Sequence, residues 1–292
     1  MTLPVTSILR RFNRWAWLLL PVLLFLAIFF LYPSWLILQG SIVAPVQAPL
    51  WGLANFVRFF QTSVFSQVLV NTIRTAAVVT LLCLLIGYPY AYVMNRAGPR
   101  LMQLFLLALL LSLWSPLLVR TYAWTVILQT TGLVNTLLLE LGMIQTPLKL
   151  MRNLTGVLIG MTYILLPLMV LPIYSVMRRI DRELVLAAQS LGAAPLRAFF
   201  AVFLPLSLPG VYTGVLLVFV EALSFYITPA LLGSPRQMML GELTIQQIQL
   251  TRDWGMGSTM AVIMLMITLI SLGLVGWFVN FNVVLGGRGD VD

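Results

Sequence analysis

Six apolar stretches, each long enough to cross a lipid bilayer, constrain the fold of this chain more than any other feature. A spanning helix needs about 20 apolar residues, and in lipid every backbone N–H and C=O group must be paired within its own segment. A membrane β-barrel would instead show segments of about ten residues with alternating polarity, and none is visible. We therefore predict an all-α membrane protein with six transmembrane helices, at about 15–38, 68–94, 101–128, 156–177, 206–232 and 259–285.

The composition and the positions of the basic residues predict how the chain lies in the membrane. Hydrophobic residues make up 61% of the chain and charged residues 9%, which favours one integral membrane domain over residues 1–292. With six spans both termini lie on one side, and basic residues concentrate at cytoplasmic span ends. Cytoplasmic termini place the following arginines inside: Arg10, Arg11, Arg14, Arg96, Arg100, Arg178, Arg179, Arg182, Arg197 and Arg288. The net charge of +9 then reflects topology and contact with membrane lipid, and no nucleic acid is expected as a partner.

Missing residue types exclude several kinds of site. The chain has no histidine, one cysteine (Cys83) and one lysine (Lys149), which lies between two leucines. A histidine general base, a zinc triad and a phosphate-binding G-x-x-x-x-G-K-[ST] loop are therefore not available. We expect no catalytic residues, no metal site and no bound cofactor. If ATP drives this protein, a different chain hydrolyses it.

The polar segment at residues 178–205 separates two of the predicted spans and has an unusual pattern. A pair of small residues, Ala187 and Ala188, precedes a helix-breaking Gly192, and a second amphipathic run leads to Pro205. This pattern predicts two short helices lying across one face of the membrane, shaped to dock into another protein.

The same segment resembles the EAA loop of binding-protein-dependent ABC importer permeases, whose pattern is E-A-A-x3-G-x9-I-x-L-P. The matching positions are Ala187, Ala188, Gly192, Leu204 and Pro205, with Val202 in place of isoleucine. Leu186 replaces the usual glutamate, and Glu183, one helical turn earlier, is our hypothesis for the acid that takes over its role. The resemblance implies the type I importer permease fold, with this loop as the cytoplasmic coupling helix that docks in a cleft of the ATPase.

Further motifs are similar to the B-type permease subunit of spermidine/putrescine ABC importers, although permeases for iron, phosphonate or opine substrates share some of them. They are Asn71-Thr72, Gly87–Tyr92, Trp114–Trp124, Phe225–Gly233 and Asp253–Gly257. This resemblance implies a polyamine or related cationic solute as substrate and the bacterial inner membrane as location. It also implies two ATP-binding subunits, a second permease subunit (a heterodimer, with a second copy of this chain as the alternative) and a periplasmic solute-binding protein.

Glu221 is the acid that lies well inside a predicted span, where a carboxylate is costly unless it faces water, a partner or a cation. Ammonium groups prefer carboxylates and aromatic faces, so we predict a substrate pathway lined by Glu221, Phe225, Tyr226, Trp114, Tyr122 and Trp124. The alternative is a protonated Glu221 bonded to a neighbouring helix, with the aromatic residues in the core or at the membrane interface.

Two other classes of protein remain open at this point. A secondary carrier driven by an ion gradient needs intramembrane acids or broken helices in related halves, and Glu221 alone meets that description. A structural membrane protein has no need of the EAA-like loop. Prolines within or at the ends of the spans, among them Pro116 and Pro229, mark either hinges or passive irregularities.

Overall fold

A computed structural model describes residues 16–42 and 52–286, and within them every regular element is a helix. The first half contains α1 (Ala16–Leu26), α2 (Tyr32–Ile42), α3 (Ala54–Gln61), α4 (Ser63–Arg96), α5 (Pro99–Trp114), α6 (Leu117–Leu128) and α7 (Leu133–Glu140). The second half contains α8 (Leu154–Met177), α9 (Arg182–Ser190), α10 (Pro195–Ala198), α11 (Leu204–Ser224), α12 (Ile227–Leu232), α13 (Leu240–Gln249) and α14 (Trp254–Gly286). Five helical stretches in these ranges are long and apolar enough to cross a membrane, or six if a bent pair counts as one span. The predicted all-α membrane fold is confirmed.

The first span lies outside the core. A π-helical turn at Ala27–Leu31 joins α1 to α2, and the described side chains of this span are almost all exposed. Its C-terminal end meets α14, where Gly40 lies so close to Ser258 that a Cβ atom would come within 2.8 Å of the hydroxyl oxygen. Four of the arginines used for topology (Arg10, Arg11, Arg14 and Arg288) lie outside the described residues.

The core is formed by α4, α8 and α11, which pack closely through small residues. A Cβ atom on Gly87 of α4 would lie 2.9 Å from the side chain of Met169 in α8. On α11, a Cβ on Gly210 would lie 3.0 Å from the Cα atom of Ile173, and one on Gly214 would lie 3.0 Å from the Met169 carbonyl oxygen. Glycines of this kind let membrane helices approach to backbone contact, where van der Waals packing holds them together.

The third predicted span, 101–128, differs from the prediction because it is not one helix. Helix α5 ends at Trp114 and α6 begins at Leu117. The direction of the stretch Leu117–Glu140 differs by 101° from that of Pro99–Trp114. Pro116 explains the break, because proline lacks the N–H donor and forces the preceding residue out of the helical region. Ser115 is accordingly extended, with φ −67° and ψ 134°.

The fifth predicted span, 206–232, is also interrupted. Helix α11 ends at Ser224, Phe225 is extended with ψ 129°, and α12 begins at Ile227. In a continuous helix the ring of Pro229 would clash with the carbonyl group of Phe225, four residues earlier. Helix α12 instead packs beside α8, and the backbone N–H of Arg152 donates to the carbonyl of Leu232 over 2.8 Å.

Short helices on the predicted outer side are tied to the ends of the spans. Helix α3 buries Phe59, and its Arg58 forms an ion pair of 2.7 Å with Asp253. The carboxylate of Asp253 also accepts a hydrogen bond from the backbone N–H of Met256 and so caps α14. Helix α13 is joined to α4 by the Thr72 hydroxyl, which accepts from the N–H of Leu240 over 2.8 Å. These contacts connect α3, α4, α13 and α14 at the ends of the spans that are predicted to face outward.

Candidate functional site

The EAA-like segment folds as two short helices separated by a glycine, as its pattern predicts. Asp181 caps α9, since its Oδ1 atom accepts a hydrogen bond from the N–H of Glu183 over 2.9 Å. Gly192 ends the helix with φ +91°, a left-handed conformation that costs glycine little and other residues more. The N–H of Ala193 bonds back to the carbonyl of Ala188, which completes a Schellman motif. Pro195 then opens α10 in the first-turn position that proline favours.

The second short helix does not stand alone. Helix α10 has four residues and continues through a π-helical turn, Phe199–Phe203, into α11. Val202 therefore lies in that turn, and Leu204 and Pro205 form the first turn of α11. The last matched positions of the EAA-like pattern are thus part of the long helix at whose other end Glu221 lies.

An aromatic cluster of Tyr92, Phe199 and Phe203 anchors the segment to the end of α4, and sequence reasoning missed it. The ring of Tyr92 lies edge-on to Phe199 and to Phe203, with ring centroids 5.4 Å apart in both pairs. Edge-to-face pairs of this kind each contribute about 0.5–1.5 kcal/mol beyond area burial. One turn earlier on α4, the hydroxyl groups of Tyr88 and Ser207 lie 3.0 Å apart. The closely spaced phenylalanines of the segment, Phe199, Phe200 and Phe203, were the sequence feature that could have predicted this anchor.

A cavity of about 480 Å³ lies between the end of α4 and α9. Arg96, Asp181, Arg182 and Gln189 provide its polar lining. The guanidinium of Arg182 donates to the carbonyl of Asn95 over 3.3 Å. The inner side of α9 is therefore held to the core at its first turn, while a gap remains along its length.

Part of the surface of α9 and of the turn after it is apolar and uncovered, although Leu186 also lines the cavity. Leu186, at the position of the usual EAA glutamate, is 58% exposed, and Leu191 is 90% exposed. Ala187 and Glu183 are exposed, and Ala188 is half-buried. Exposed apolar surface on a short, well-capped element is typical of a protein interface. The structure thus presents the matched positions of α9 as a surface rather than as part of the core.

Three of the predicted pathway residues come together at the end of α11. Glu221 is exposed one turn before the helix ends, and Phe225 and Tyr226 form the extended break that follows. The backbone of α13 closes in on this break, since a Cβ atom on Gly241 would lie 3.1 Å from the carbonyl oxygen of Ser224. The last turn of α11 therefore combines an acidic residue with the negative, carbonyl end of a helix, and both attract cations.

The other three predicted pathway residues lie on α5 and α6. Trp114 is 81% exposed at the end of α5, and Tyr122 is 66% exposed on α6. Trp124 is half-buried and packs edge-on against Tyr163 of α8, with ring centroids 5.4 Å apart. Trp114 and Tyr122 thus face away from the described part of the chain, whereas Trp124 contributes to packing inside it.

Arg120, in the first turn of α6, is a residue to which sequence reasoning assigned no role. Its Nε and Nη1 atoms are buried and have no hydrogen-bond acceptor. The sequence did contain a signal for this site, because Arg120 is an arginine inside an apolar run. Its missing hydrogen-bond partners are visible only in the folded chain. Among the described residues, no group of three histidine, cysteine, aspartate or glutamate side chains is placed to hold a metal ion.

Comparison with known families gives a match over more than half of the chain. Residues 83–281 match the model of the family described as "Binding-protein-dependent transport system inner membrane component". The spermidine/putrescine transport system permease protein PotB of Haemophilus influenzae is 32% identical over 241 residues, covering 81% of this chain and 84% of the relative. PotB of Escherichia coli is 32% identical over 256 residues, covering 86% and 92%. A molybdenum transport system permease protein, ModB of Mycobacterium bovis, is 28% identical over 71% of this chain and 76% of the relative.

Solved structures show the same fold at lower sequence identity. A chain of a bacterial ABC transporter that imports the acidic polysaccharide alginate superposes with a TM-score of 0.67 at 17% identity, covering 92% of this chain and 97% of that chain. A chain of the MetNI methionine ABC transporter in an inward-facing conformation superposes with a TM-score of 0.58 at 14% identity, covering 76% and 97%. At these identities the likeness concerns the fold alone.

Proposed function

This chain belongs to the family of binding-protein-dependent transport system inner membrane components, and from that premise we propose that it is a permease subunit of an ATP-driven importer of polyamines or a related small cationic solute. Membership confirms the family resemblance and the prediction of a transport subunit rather than an enzyme. The chain is a multi-pass inner membrane protein, and permeases of this family work with ATPase subunits and a periplasmic binding protein.

The observation that carries the choice of a cationic substrate is Glu221 beside the broken end of α11. Its carboxylate, the carbonyl groups that end the helix and the exposed ring of Tyr226 are all groups that attract ammonium ions. Helix breaks at membrane depth are tolerated where they line a cavity, and transporters use them to bind substrates and ions. Relatives that are 32% identical and named for spermidine and putrescine support the same choice.

The coupling role belongs to α9 and the turn that follows it. We propose that Leu186, Ala187 and Ala188 sit in a cleft of the ATPase, with Glu183 supplying the acidic contact. Because α10 runs without interruption into α11, a displacement of the segment is passed directly to the helix that carries Glu221. Two ATPase subunits, a second permease subunit completing the pathway, and cytoplasmic termini belong to the same proposal.

Uptake by a reconstituted complex tests the function. Proteoliposomes containing this chain, its co-purified ATPase and second membrane subunit, and the periplasmic binding protein should accumulate radiolabelled putrescine or spermidine when ATP is supplied. Dissipating the ion gradients with ionophores should leave uptake unchanged. Uptake that collapses with ionophores and ignores ATP would identify a secondary carrier instead.

The identity of the substrate needs its own measurement. Excess unlabelled polyamine should compete with the labelled substrate, whereas an opine, a phosphonate, molybdate or iron should not. ATP-driven uptake that one of those solutes inhibits, and polyamines do not, would keep the importer and reject the cationic substrate.

A further inference from the structure

Arg120 is a half-buried arginine in the third predicted span, and part of its guanidinium lacks a hydrogen-bond partner. It lies in the first turn of α6, just after the break that separates α5 from α6. Two of its three guanidinium nitrogens, Nε and Nη1, are buried without an acceptor. No carboxylate of the described residues pairs with it, since the ion pair found there joins Arg58 and Asp253.

The two unpaired nitrogens of Arg120 indicate a hydrogen-bond partner from outside the described part of the chain. Arginine remains protonated in proteins, and donors of a charged group that are buried without an acceptor are costly. Near the centre of a bilayer the cost remains high unless the group faces protein, water or an opposite charge.

The surroundings of Arg120 place it at the rim of an uncovered face. One side of α6 is fixed to the chain, because the hydroxyl groups of Thr121 and Thr228 lie 3.2 Å apart and Trp124 packs on Tyr163. The opposite side carries exposed apolar residues, namely Leu118, Val119, Tyr122 and Val126. By helical geometry, at 3.6 residues per turn, Arg120 projects between these two sides. A partner covering the apolar face would bring its own side chains directly to the guanidinium.

We propose that Arg120 forms an ion pair with a carboxylate of the second membrane subunit, at an interface made by the exposed face of α6. The inference rests on the proposed function, because it requires a paired permease. A carboxylate on the second subunit accounts for the unsatisfied donors, and the adjacent apolar face supplies the area that an interface needs. A cationic substrate does not account for them, since it would be repelled by the guanidinium.

The sequence offers a direct chemical test, because Lys149 is the only lysine. In a Lys149→Arg background, Arg120→Lys places the only lysine amine of the chain at the proposed contact. Treating the assembled complex in membranes with dicyclohexylcarbodiimide should join that amine to a carboxylate of the second subunit. The product should have the summed mass of the two subunits, and mass spectrometry of its peptides should identify the acid. Arg74→Lys in the same background, at an exposed position of α4, is the matched control and should give no such product.

A second measurement uses the intact complex. Arg120→Gln should make the two membrane subunits dissociate in detergent at least about tenfold faster, since removing one partner of a buried interfacial pair is strongly unfavourable. Arg120→Lys should keep most of the lifetime because it keeps the charge. The full chain alone, in lipid nanodiscs, should be no less stable as Arg120→Gln than as wild type, because there the arginine has no partner to lose.

Three results would overturn the inference. They are the absence of a cross-link to the second subunit, a cross-link within one chain only, and an unchanged dissociation rate for Arg120→Gln. A complex that transports substrate but contains no second membrane subunit would instead contradict the paired pathway of the proposed function. ATP-driven uptake measured on the same preparations distinguishes a failure of the Arg120 contact from a failure of the proposed function.

Discussion

Single charged residues carry most of the functional argument, because each charge inside or near the membrane must be explained by what surrounds it. Arg120 and Glu221 lie in spans and have opposite signs, yet they are found in different settings. Arg120 is held against the core with buried, unpaired donors, whereas Glu221 is exposed at the end of α11. The first arrangement indicates a fixed protein partner, and the second favours an exchangeable ligand.

Glu221→Gln tests the proposed substrate contact. The change keeps the size of the side chain and removes its charge, so it should lower the apparent affinity for a polyamine about tenfold or more while the complex still assembles. ATP-dependent uptake at several substrate concentrations measures the effect. Glu140→Gln, which alters an exposed carboxylate on α7, is the control. Normal uptake by Glu221→Gln would favour a structural role for this acid.

Glu242, in the first turn of α13, tests how burial of a carboxyl group affects stability. Desolvation by burial raises the pKa of Glu242 above its ordinary value of 4.5. A raised pKa in the folded state means that the contribution of this group to stability is present below pH 4.5 and is lost as the pH rises through the folded pKa. Glu242→Gln should therefore have a higher Tm than wild type at pH 7.5 and a smaller advantage at low pH. A Tm difference that does not change with pH would contradict this assignment.

Glu183→Gln tests the acid proposed to replace the missing EAA glutamate. Glu183 is exposed on α9, and its backbone N–H is already used by the Asp181 cap, so the substitution should leave the helix intact. We expect weaker retention of the ATPase on the purified membrane subunits and a several-fold lower rate of ATP-driven uptake. Adding Leu186→Glu, which places a glutamate at the usual EAA position, should restore retention of the ATPase in the Glu183→Gln background. Unaltered retention in Glu183→Gln would remove this residue from the interface.

At the scale of secondary-structure elements, prolines and glycines decide where helices stop. Pro116 and Pro229 accompany breaks in the third and fifth predicted spans, whereas Pro89, Pro167 and Pro172 lie inside continuous helices. Both breaks lie beside proposed functional residues, since Arg120 follows the first and Tyr226 lies in the second. In this chain the two helix breaks therefore indicate the proposed functional residues better than the positions of the prolines do.

Gly192→Ala tests whether the shape of the coupling segment matters. Because φ is +91° and an added Cβ would meet no atom within 4 Å, the cost is backbone strain alone, on the order of 1 kcal/mol. The substitution should reorient α9 relative to α10 and reduce stimulation of ATPase activity by the loaded binding protein, with little change in Tm. Gly98→Ala, at an exposed position of ordinary φ (−64°), is the control. Equal stimulation in both variants would show that the segment tolerates a different turn.

On the scale of the whole molecule, the chain is a tight three-helix core with loosely attached elements around it. Helices α4, α8 and α11 bury the largest share of the apolar side chains, while the first span and the α5–α6 pair leave broad apolar faces uncovered. Lipid or a second subunit must cover those faces in the membrane. The core connects the coupling segment to the break after Ser224 through one unbroken helix, α11.

Gly214→Ala tests the close contact within this core. The new methyl group would lie 2.9 Å from the sulfur and 3.0 Å from the carbonyl oxygen of Met169. Overpacking of this kind costs roughly 1–3 kcal/mol, so Tm in detergent should fall by several degrees. Gly273→Ala on α14, where a Cβ would meet nothing within 4 Å, should leave Tm unchanged or raise it slightly. Equal Tm values would mean that α8 and α11 separate easily.

The amino-acid sequence by itself determined the helical membrane fold and the transport family. A bilayer permits few backbone solutions, so apolar length alone predicts the spans, and the spacing from Ala187 to Pro205 predicts the paired short helices around Gly192. Tertiary structure alone decided the 101° bend, the break at Phe225, and which side chains face outward. These depend on contacts between residues far apart in sequence, such as Thr121 with Thr228. Local periodicity holds no information about those pairs, and so the unpaired state of Arg120 became visible only in the folded chain.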